Sequence, residues 1–567
     1  MASKVSLEPQ PSGDPKVPMP SNESGVATIA PGAAGNTEHS QPVPGDAEVG
    51  PGPMSPAGGE VGTLMIGAKL SMSEYLKGWL AVFIMTLAAI LSNLGNLILS
   101  YFNQQMSQDI GMTDAQYGML TGYAYFLILG VALVSQGYII DRYSLNRMYV
   151  VGFGGVLGAA ALFMQGFAKD FNMMLVGMLL SALGSSVFSV LPIPILSDML
   201  PPEQISFAGA IFSSNVYLAE CLAGNLAELC IKKGISWRWA VVGLGVGCGA
   251  SSLAVFAFLR EPPIGRFIVK KEGNEGPQKP DFKIKQVITY MVSMSSLWLL
   301  LIATGLRNIP GDMTGAYMPN FYSAVYPDEA TVFTAVSTIV GLCGLAAAFI
   351  YGAICQRFFT RLPTISLYTT AFGAMFAAAA VAVSVASRLI AGDVSTKGYA
   401  IGLTAMSLTF LIGEGWQGPL SVMLTLALPP EIKSFAISLF FALAQLIGPA
   451  GSVLFGIYLT AGDWVKGTPE YIGPARIFML VALIGGYIGS AVLFLMAVPS
   501  VNRDIAKRED AVRAGGSPQI TLPLRRKIAF IAGSALLGTA VLTLVVISFI
   551  FSYNPNMIMH PHTHHHG

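Results

Sequence analysis

The chain has 567 residues, of which 53% are hydrophobic and 11% charged, with a formal net charge of +1. Soluble domains carry roughly a quarter charged residues, so this composition excludes an ordinary soluble protein and points to a polytopic membrane protein. The near-neutral balance also excludes a nucleic-acid partner, which needs a basic face.

In chain order, residues 1–72 are rich in Pro, Gly, Ser and Ala without apolar periodicity and read as a disordered cytoplasmic tail. This polar, proline-rich start does not look like a cleavable signal peptide. Apolar runs that meet the length of about 20 residues needed to cross hydrocarbon then recur regularly. Six spans are expected near 77–101, 116–139, 148–168, 172–198, 205–230 and 238–259, within a first half at 73–262. After a cytoplasmic linker at 263–293, six more are expected near 294–322, 330–354, 363–386, 397–427, 432–460 and 473–498, within a second half at 294–500. A basic cytoplasmic loop at 501–527, an uncharged thirteenth span at 528–552 and a His-rich tail at 553–567 complete the chain. Cys221, Cys230, Cys248, Cys343 and Cys355 lie in apolar runs without metal-ligand spacing and read as small buried hydrophobes.

Loop charges set the orientation. Arg142 and Arg147 lie between spans 2 and 3, seven basic residues from Arg260 to Lys285 between spans 6 and 7, and Arg357 and Arg361 between spans 8 and 9. The 1–2 loop has no Lys or Arg, so the even-to-odd loops and the N-terminus are expected to be cytoplasmic. Lys232, Lys233 and Arg238, between spans 5 and 6, oppose this and are outweighed by the 6–7 segment.

The stretch Gly137-Tyr-Ile-Ile-Asp141-Arg142-Tyr-Ser-Leu-Asn-Arg147 forms a charged hairpin between two apolar runs. It resembles the first-half cytoplasmic loop of the major facilitator superfamily, G-x-x-x-D-R-x-x-R-R. The closing basic pair falls on Leu145 and Asn146, and Arg147 follows one place late. The resemblance implies an all-α membrane protein with two six-helix halves, and conformational gating by Gly137, Asp141, Arg142 and Arg147. Three further stretches are similar to the spinster group of that superfamily: Arg260-Glu261-Pro262-Pro263-Ile264-Gly265, Leu191 to Asp198, and Leu446 to Ser452. That group is linked to sphingolipid and lysophospholipid export.

The sequence also departs from the group. Its first-span Asn-Tyr-x-Asp-Arg motif, whose acid is implicated in proton coupling, corresponds here to Asn93-Leu94-Gly95-Asn96-Leu97. The fourth-span Arg and Glu correspond to Met178 and Ser185. An amide does not titrate near neutral pH, so Asn96 cannot take over that acid's role.

Ionisable groups at membrane depth are costly and are candidates for function. Arg307 and Asp312 flank Pro310-Gly311 near the middle of the seventh span, where a helix break is expected to expose backbone groups to substrate. A guanidinium holds a carboxylate or phosphate in two contacts. The two residues could instead pair with each other, or lie in a loop if the span is shorter. Glu414 in the tenth span is a candidate for proton exchange or for pairing with Arg307, and Glu220 in the fifth is a further proton-coupling candidate beside Asn215. Asn93, Asn96 and Tyr317 are candidate cavity-lining groups.

No phosphate-binding glycine loop, H-E-x-x-H or nucleophile elbow is present in the sequence, so no enzyme activity, cofactor or metal is expected. The expectation is a monomeric carrier in the plasma membrane or an endolysosomal or vacuolar membrane, secondary-active or facilitative. Its expected substrate is a lysolipid, a sphingolipid or another amphipathic organic anion. The alternatives are a facilitator for a water-soluble anion or sugar, and a non-transporting sensor or scaffold on a carrier fold.

Overall fold

The computed structural model describes residues 71–143, 145–263, 284–358, 364–392, 395–428, 433–462, 469–513 and 524–553, with the isolated positions 266, 362 and 464. Of the expected tails at 1–72 and 553–567, residues 1–70 and 554–567 lie outside the described residues, as do most of the expected linker at 263–293, residues 514–523 of the expected basic loop at 501–527, and all but the backbone of Gly137, Asp141 and Arg142. Among the described residues there are helices and no strands. Among the described residues, nine helices are long and apolar enough to cross a membrane, or ten if the bent pair Val287–Ser293 and Leu297–Val325 counts as one span.

The first helix is Met72–Tyr101. It opens with a capping box, in which Glu74 N donates to Ser71 Oγ at 3.3 Å and Ser71 N donates to Glu74 Oε2 at 3.2 Å. The second runs from Asp114–Met119 through a π turn at Leu120–Ala124 into Tyr125–Tyr143. The third is Arg147–Gly166, capped by Asn146. The fourth, Phe171–Val190, restarts at Pro192–Met199, where the proline ring suits a first helical turn. The fifth is the pair Pro202–Ser213 and Asn215–Lys232, and the sixth is Trp237–Phe258.

The second half begins with a short helix, Ile284–Ser293, set at 92° to the seventh helix, Leu297–Val325. Asp504 holds this elbow. Its two carboxylate oxygens accept from the backbone and hydroxyl groups of Ser295 and Ser296 at 2.8 to 3.0 Å. The eighth and ninth helices are Val332–Phe358 and Ile365–Ala391. The tenth is broken into Ser395–Gly413 and Gln417–Ala427, and the eleventh into Lys433–Ala444 and Ala450–Ala461. The twelfth, Pro469–Arg513, continues well past residue 500, and Leu524–Tyr553 follows it.

Small residues bring the helices together. A Cβ on Gly184 would lie 2.7 Å from Gly158 N and 2.8 Å from Gly154 O, so the third and fourth helices meet backbone to backbone. Large apolar side chains such as Phe83, Phe153, Leu389 and Val481 point outward, as suits surroundings of hydrocarbon. Within the halves, the third helix packs on the fourth and sixth, and the twelfth on the seventh and ninth. The halves meet where the fifth lies on the eighth and the second on the eleventh.

Hydrogen bonds across this seam gather at the end carrying the 1–2 and 7–8 loops. Tyr117 donates to Ala316 O at 3.0 Å, Asn320 to Ser100 O at 2.6 Å and Ala115 N to Thr460 Oγ1 at 2.9 Å. Thr334 N donates to Glu228 Oε2 at 2.8 Å on the opposite flank.

The expected break at Pro310-Gly311 is not present. Pro310 and Pro319 both lie inside one continuous seventh helix of 29 residues. The Leu306 carbonyl, left without its usual donor by Pro310, is covered by the twelfth helix, where a Cβ on Gly486 would lie 3.0 Å from it. In the second half, the described helices broken within their spans are the tenth and eleventh.

Candidate functional site

A cavity of about 350 Å³ lies between the halves. Asn96 and Glu220 line it from the first half, and Arg307, Asp312 and Glu414 from the second. Arg307 is 1% exposed, which excludes the alternative placing it in a loop.

The break in the tenth helix leaves the carbonyls at its first segment's end without intrahelical donors. Tyr351 donates its hydroxyl to Ile412 O, and Arg307 Nη2 donates to Gly413 O at 2.6 Å. The same guanidinium nitrogen contacts Glu414 Oε2 at 3.0 Å. The guanidinium carbon also lies 4.8 Å from the Tyr487 ring centroid and 5.4 Å from that of Trp416, within cation–π range. Arg307 Nε has no hydrogen-bond partner among the described residues. Arg307 therefore pairs with Glu414, and no Arg307–Asp312 ion pair is present among the described residues.

The other side of the seventh helix addresses the break in the eleventh. Asn308 Nδ2 donates to Gln445 Oε1 at 2.9 Å. A Cβ on Gly448 would come within 2.3 Å of Asp312 Oδ2, so glycine at this break makes room for the carboxyl group. Asp312 Oδ2 is buried without a hydrogen-bond partner among the described residues.

The first half presents a neutral network. Asn96 Nδ2 donates to Ser185 Oγ at 3.2 Å, and its Oδ1 accepts from Ser181 at 2.5 Å. Ser185, at the position of the resembled group's Glu, also lies 3.2 Å from Ser92. Asn93 is placed beside this network, donating to Asn215 Oδ1 at 2.7 Å, and is not among the cavity-lining residues. Glu220 accepts from Tyr101 at 3.4 Å. Tyr317 is fully buried in the seal, edge-on to Tyr117 and Phe455, and donates to Ser452 O at 3.2 Å.

Of the four gating candidates, Arg147 has a described side chain. Its Nη2 lies 2.8 Å from Asp198 Oδ2 and its Nε 3.0 Å from Glu261 Oε1. Three stretches picked out in the sequence thus meet at one buried guanidinium. Sequence reading did not single out Tyr101, Trp416, Tyr487, Gln445 or Asp504. Trp416 and Gln445 stand within or next to Gly- and Pro-bearing runs in apolar segments, a signal of helix interruption shared with Pro310-Gly311, where the helix is unbroken.

The Major Facilitator Superfamily model matches residues 82–451. Two relatives are similar over shorter stretches. Multidrug resistance protein 3 of Bacillus subtilis (strain 168) is 25% identical over 167 residues, 30% of this chain and 31% of its own length. The MFS-type transporter pydD of an Acremonium species is 27% identical over 194 residues, 32% of this chain and 31% of its own length. The chain thus matches about a third of each relative's length. Among solved structures, a bacterial homolog of the human lysosomal transporter Spinster, inward-facing and occupied, has a TM-score of 0.60 at 16% identity, covering 77% of this chain and 99% of the homolog. The nucleoside transporter NupG has a TM-score of 0.53 at 15% identity, covering 74% of this chain and 98% of its own. With the family model spanning well over half of its length, this chain belongs to the Major Facilitator Superfamily and is a multi-pass membrane protein whose transporter fold resembles that of the Spinster homolog.

Proposed function

We propose that this protein is a secondary carrier, secondary-active or facilitative, that moves an amphipathic organic anion by alternating access, with a lysolipid or sphingolipid as the favoured substrate. The observation that carries this reading is Arg307, almost fully buried yet lining the cavity between the halves. A substrate phosphate or carboxylate competes with Glu414 for the guanidinium. Two anions facing one buried cation are unfavourable, so a proton on Glu414 or Asp312 restores the balance as substrate binds. Glu220, across the cavity, is the third proton-coupling candidate. Leu97, Phe126, Val340 and Phe410 supply apolar wall for a hydrocarbon tail.

The halves at 73–262 and 294–500 act as the moving bodies, joined by the linker at 263–293. With the basic loops cytoplasmic, the seal at the 1–2 and 7–8 loops faces outward, and the N-terminus lies in the cytoplasm. Arg147, with Asp141, Arg142 and Gly137 of the same hairpin, gates the opposite end. The protein works as a monomer in the plasma membrane or an endolysosomal or vacuolar membrane, without a cofactor and without covalent chemistry.

The neutral network around Asn96 favours a second reading, in which no proton is coupled and the protein is a facilitator for a water-soluble anion or sugar, or a non-transporting sensor or scaffold. Uptake into proteoliposomes of a labelled lysophospholipid and a soluble organic anion, each with and without a pH gradient, separates these readings. Gradient-driven lipid uptake that fails in Arg307→Gln supports the carrier. Gradient-independent flux makes it a facilitator, and no flux from folded protein favours the sensor.

A further inference from the structure

A second cavity, of about 460 Å³, lies beneath the helix Leu524–Tyr553 and shares no lining residue with the central one. Its wall includes Leu127 of the second helix, Met291 of the short helix, Leu443 of the eleventh, and Leu537 and Val541 of the covering helix. Ser534 supplies the one hydroxyl among the lining residues.

The covering helix is held near its two ends. Towards its start, Phe530 lies 5.8 Å from Trp298, centroid to centroid. At its finish, Gln116 Nε2 donates to Ser552 O at 2.7 Å and the Tyr553 hydroxyl donates to Asn172 Oδ1 at 2.5 Å. Phe530 and Trp298 themselves form part of the cavity wall, and between the two anchors Ser534, Leu537, Val541 and Val545 line it.

An apolar space of this size stays dry, and the cost of leaving it unfilled grows with its volume. In a bilayer the abundant apolar occupant is a lipid acyl chain. One end of the cavity carries positive charge. Lys285 stands three residues before the wall residue Ile288, and Lys527 three before Phe530, so each shares a helix face with the wall one turn on. Arg525 lies in the same first turn as Lys527, and all three side chains are exposed. Basic residues flanking a membrane helix attract anionic headgroups.

We propose that this cavity binds one acyl chain of an anionic phospholipid, with the lipid phosphate against Lys285, Arg525 and Lys527. Because Leu127 comes from the first half and Leu443 from the second, a chain seated there contacts both halves at their seam.

The test uses the full-length protein in phosphatidylcholine nanodiscs containing a small fraction of phosphatidylglycerol with a diazirine on one acyl chain. After photolysis, adducts are mapped by mass spectrometry. Adducts are expected on Leu443, Leu537 and Val541, with about tenfold less from phosphatidylcholine bearing the same diazirine. Combining Leu537→Trp and Val541→Trp, which fills the cavity, is expected to lower labelling by about tenfold. Leu536→Trp, at a position 74% exposed on the outer face, is expected to leave it unchanged. The triple variant Lys285→Gln, Arg525→Gln, Lys527→Gln is expected to erase the preference for the anionic lipid. Adducts spread equally over the outer face, equal labelling by the neutral lipid, or labelling that survives the paired Trp substitutions each overturn the proposal. Should the Trp variants not fold, competition on the unaltered protein decides: unlabelled phosphatidylglycerol must displace the label and phosphatidylcholine must not.

Discussion

Arg307 and Glu414 pair across 107 residues of sequence, while Asp312, only five residues from Arg307, forms no ion pair with it among the described residues, and its Oδ2 has no hydrogen-bond partner there. The reason is helical geometry: five residues at about 100° each place two side chains roughly 140° apart around a helix. Sequence alone identified all three as ionisable groups in apolar runs, but the proline-based expectation of a break hid this continuous geometry. For function, Arg307→Gln removes a charge-assisted contact of about 2 kcal/mol, so uptake of an anionic substrate should fall roughly thirtyfold in the proteoliposome assay. Arg307→Lys keeps the charge but not the planar fork, and should recover only part of that loss. At Gly448, substitution by Ala drives a methyl into Asp312 Oδ2 and should cost about 1–3 kcal/mol, read as a lower melting temperature in detergent. Adding Asp312→Ala should restore only part of it, because the Asn308 Cβ would still lie 2.7 Å from the new methyl, and a double-mutant cycle that is merely additive would show that the two positions do not meet.

The interrupted helices decide what the cavity presents. The Ile412 and Gly413 carbonyls accept from Tyr351 and Arg307 because the tenth helix stops near the middle of its span, and Gln445, beside the break in the eleventh, accepts from Asn308 at the cavity wall. Proline content gave the wrong location for the break: Pro310 costs a single hydrogen bond, and a helix packed over the exposed carbonyl accommodates that loss. The elbow before the seventh helix depends on Asp504, which was indistinguishable in sequence from the other charges of its basic segment. Asp504→Ala strips four hydrogen bonds from Ser295 and Ser296 and should lower stability by about 1–2 kcal/mol, the scale of a lost helix cap. Asp504→Asn, which retains an acceptor, should lower it less; equal melting temperatures for the two variants would show that the cap contributes nothing.

Across the whole molecule, the seam between the halves is closed at one end by Tyr117, Asn320, Ala115 and Thr460. If the halves move against each other, cross-linking that end must stop transport. A disulfide between Ala115→Cys and Thr460→Cys should abolish uptake, and reduction should restore it; unaltered flux in fully cross-linked protein would mean that this end never opens. The order and extent of the apolar runs, and the motifs Gly137 to Arg147, Leu191 to Asp198 and Arg260 to Gly265, by themselves determined the membrane class and the family, because hydrocarbon admits few architectures and rewards apolar length directly. Tertiary structure alone decided which carboxylate neutralises Arg307, where the helices break, and that the last helix roofs a second cavity. Those outcomes depend on contacts between segments distant in sequence, 107 residues apart for Arg307 and Glu414, which local composition does not encode.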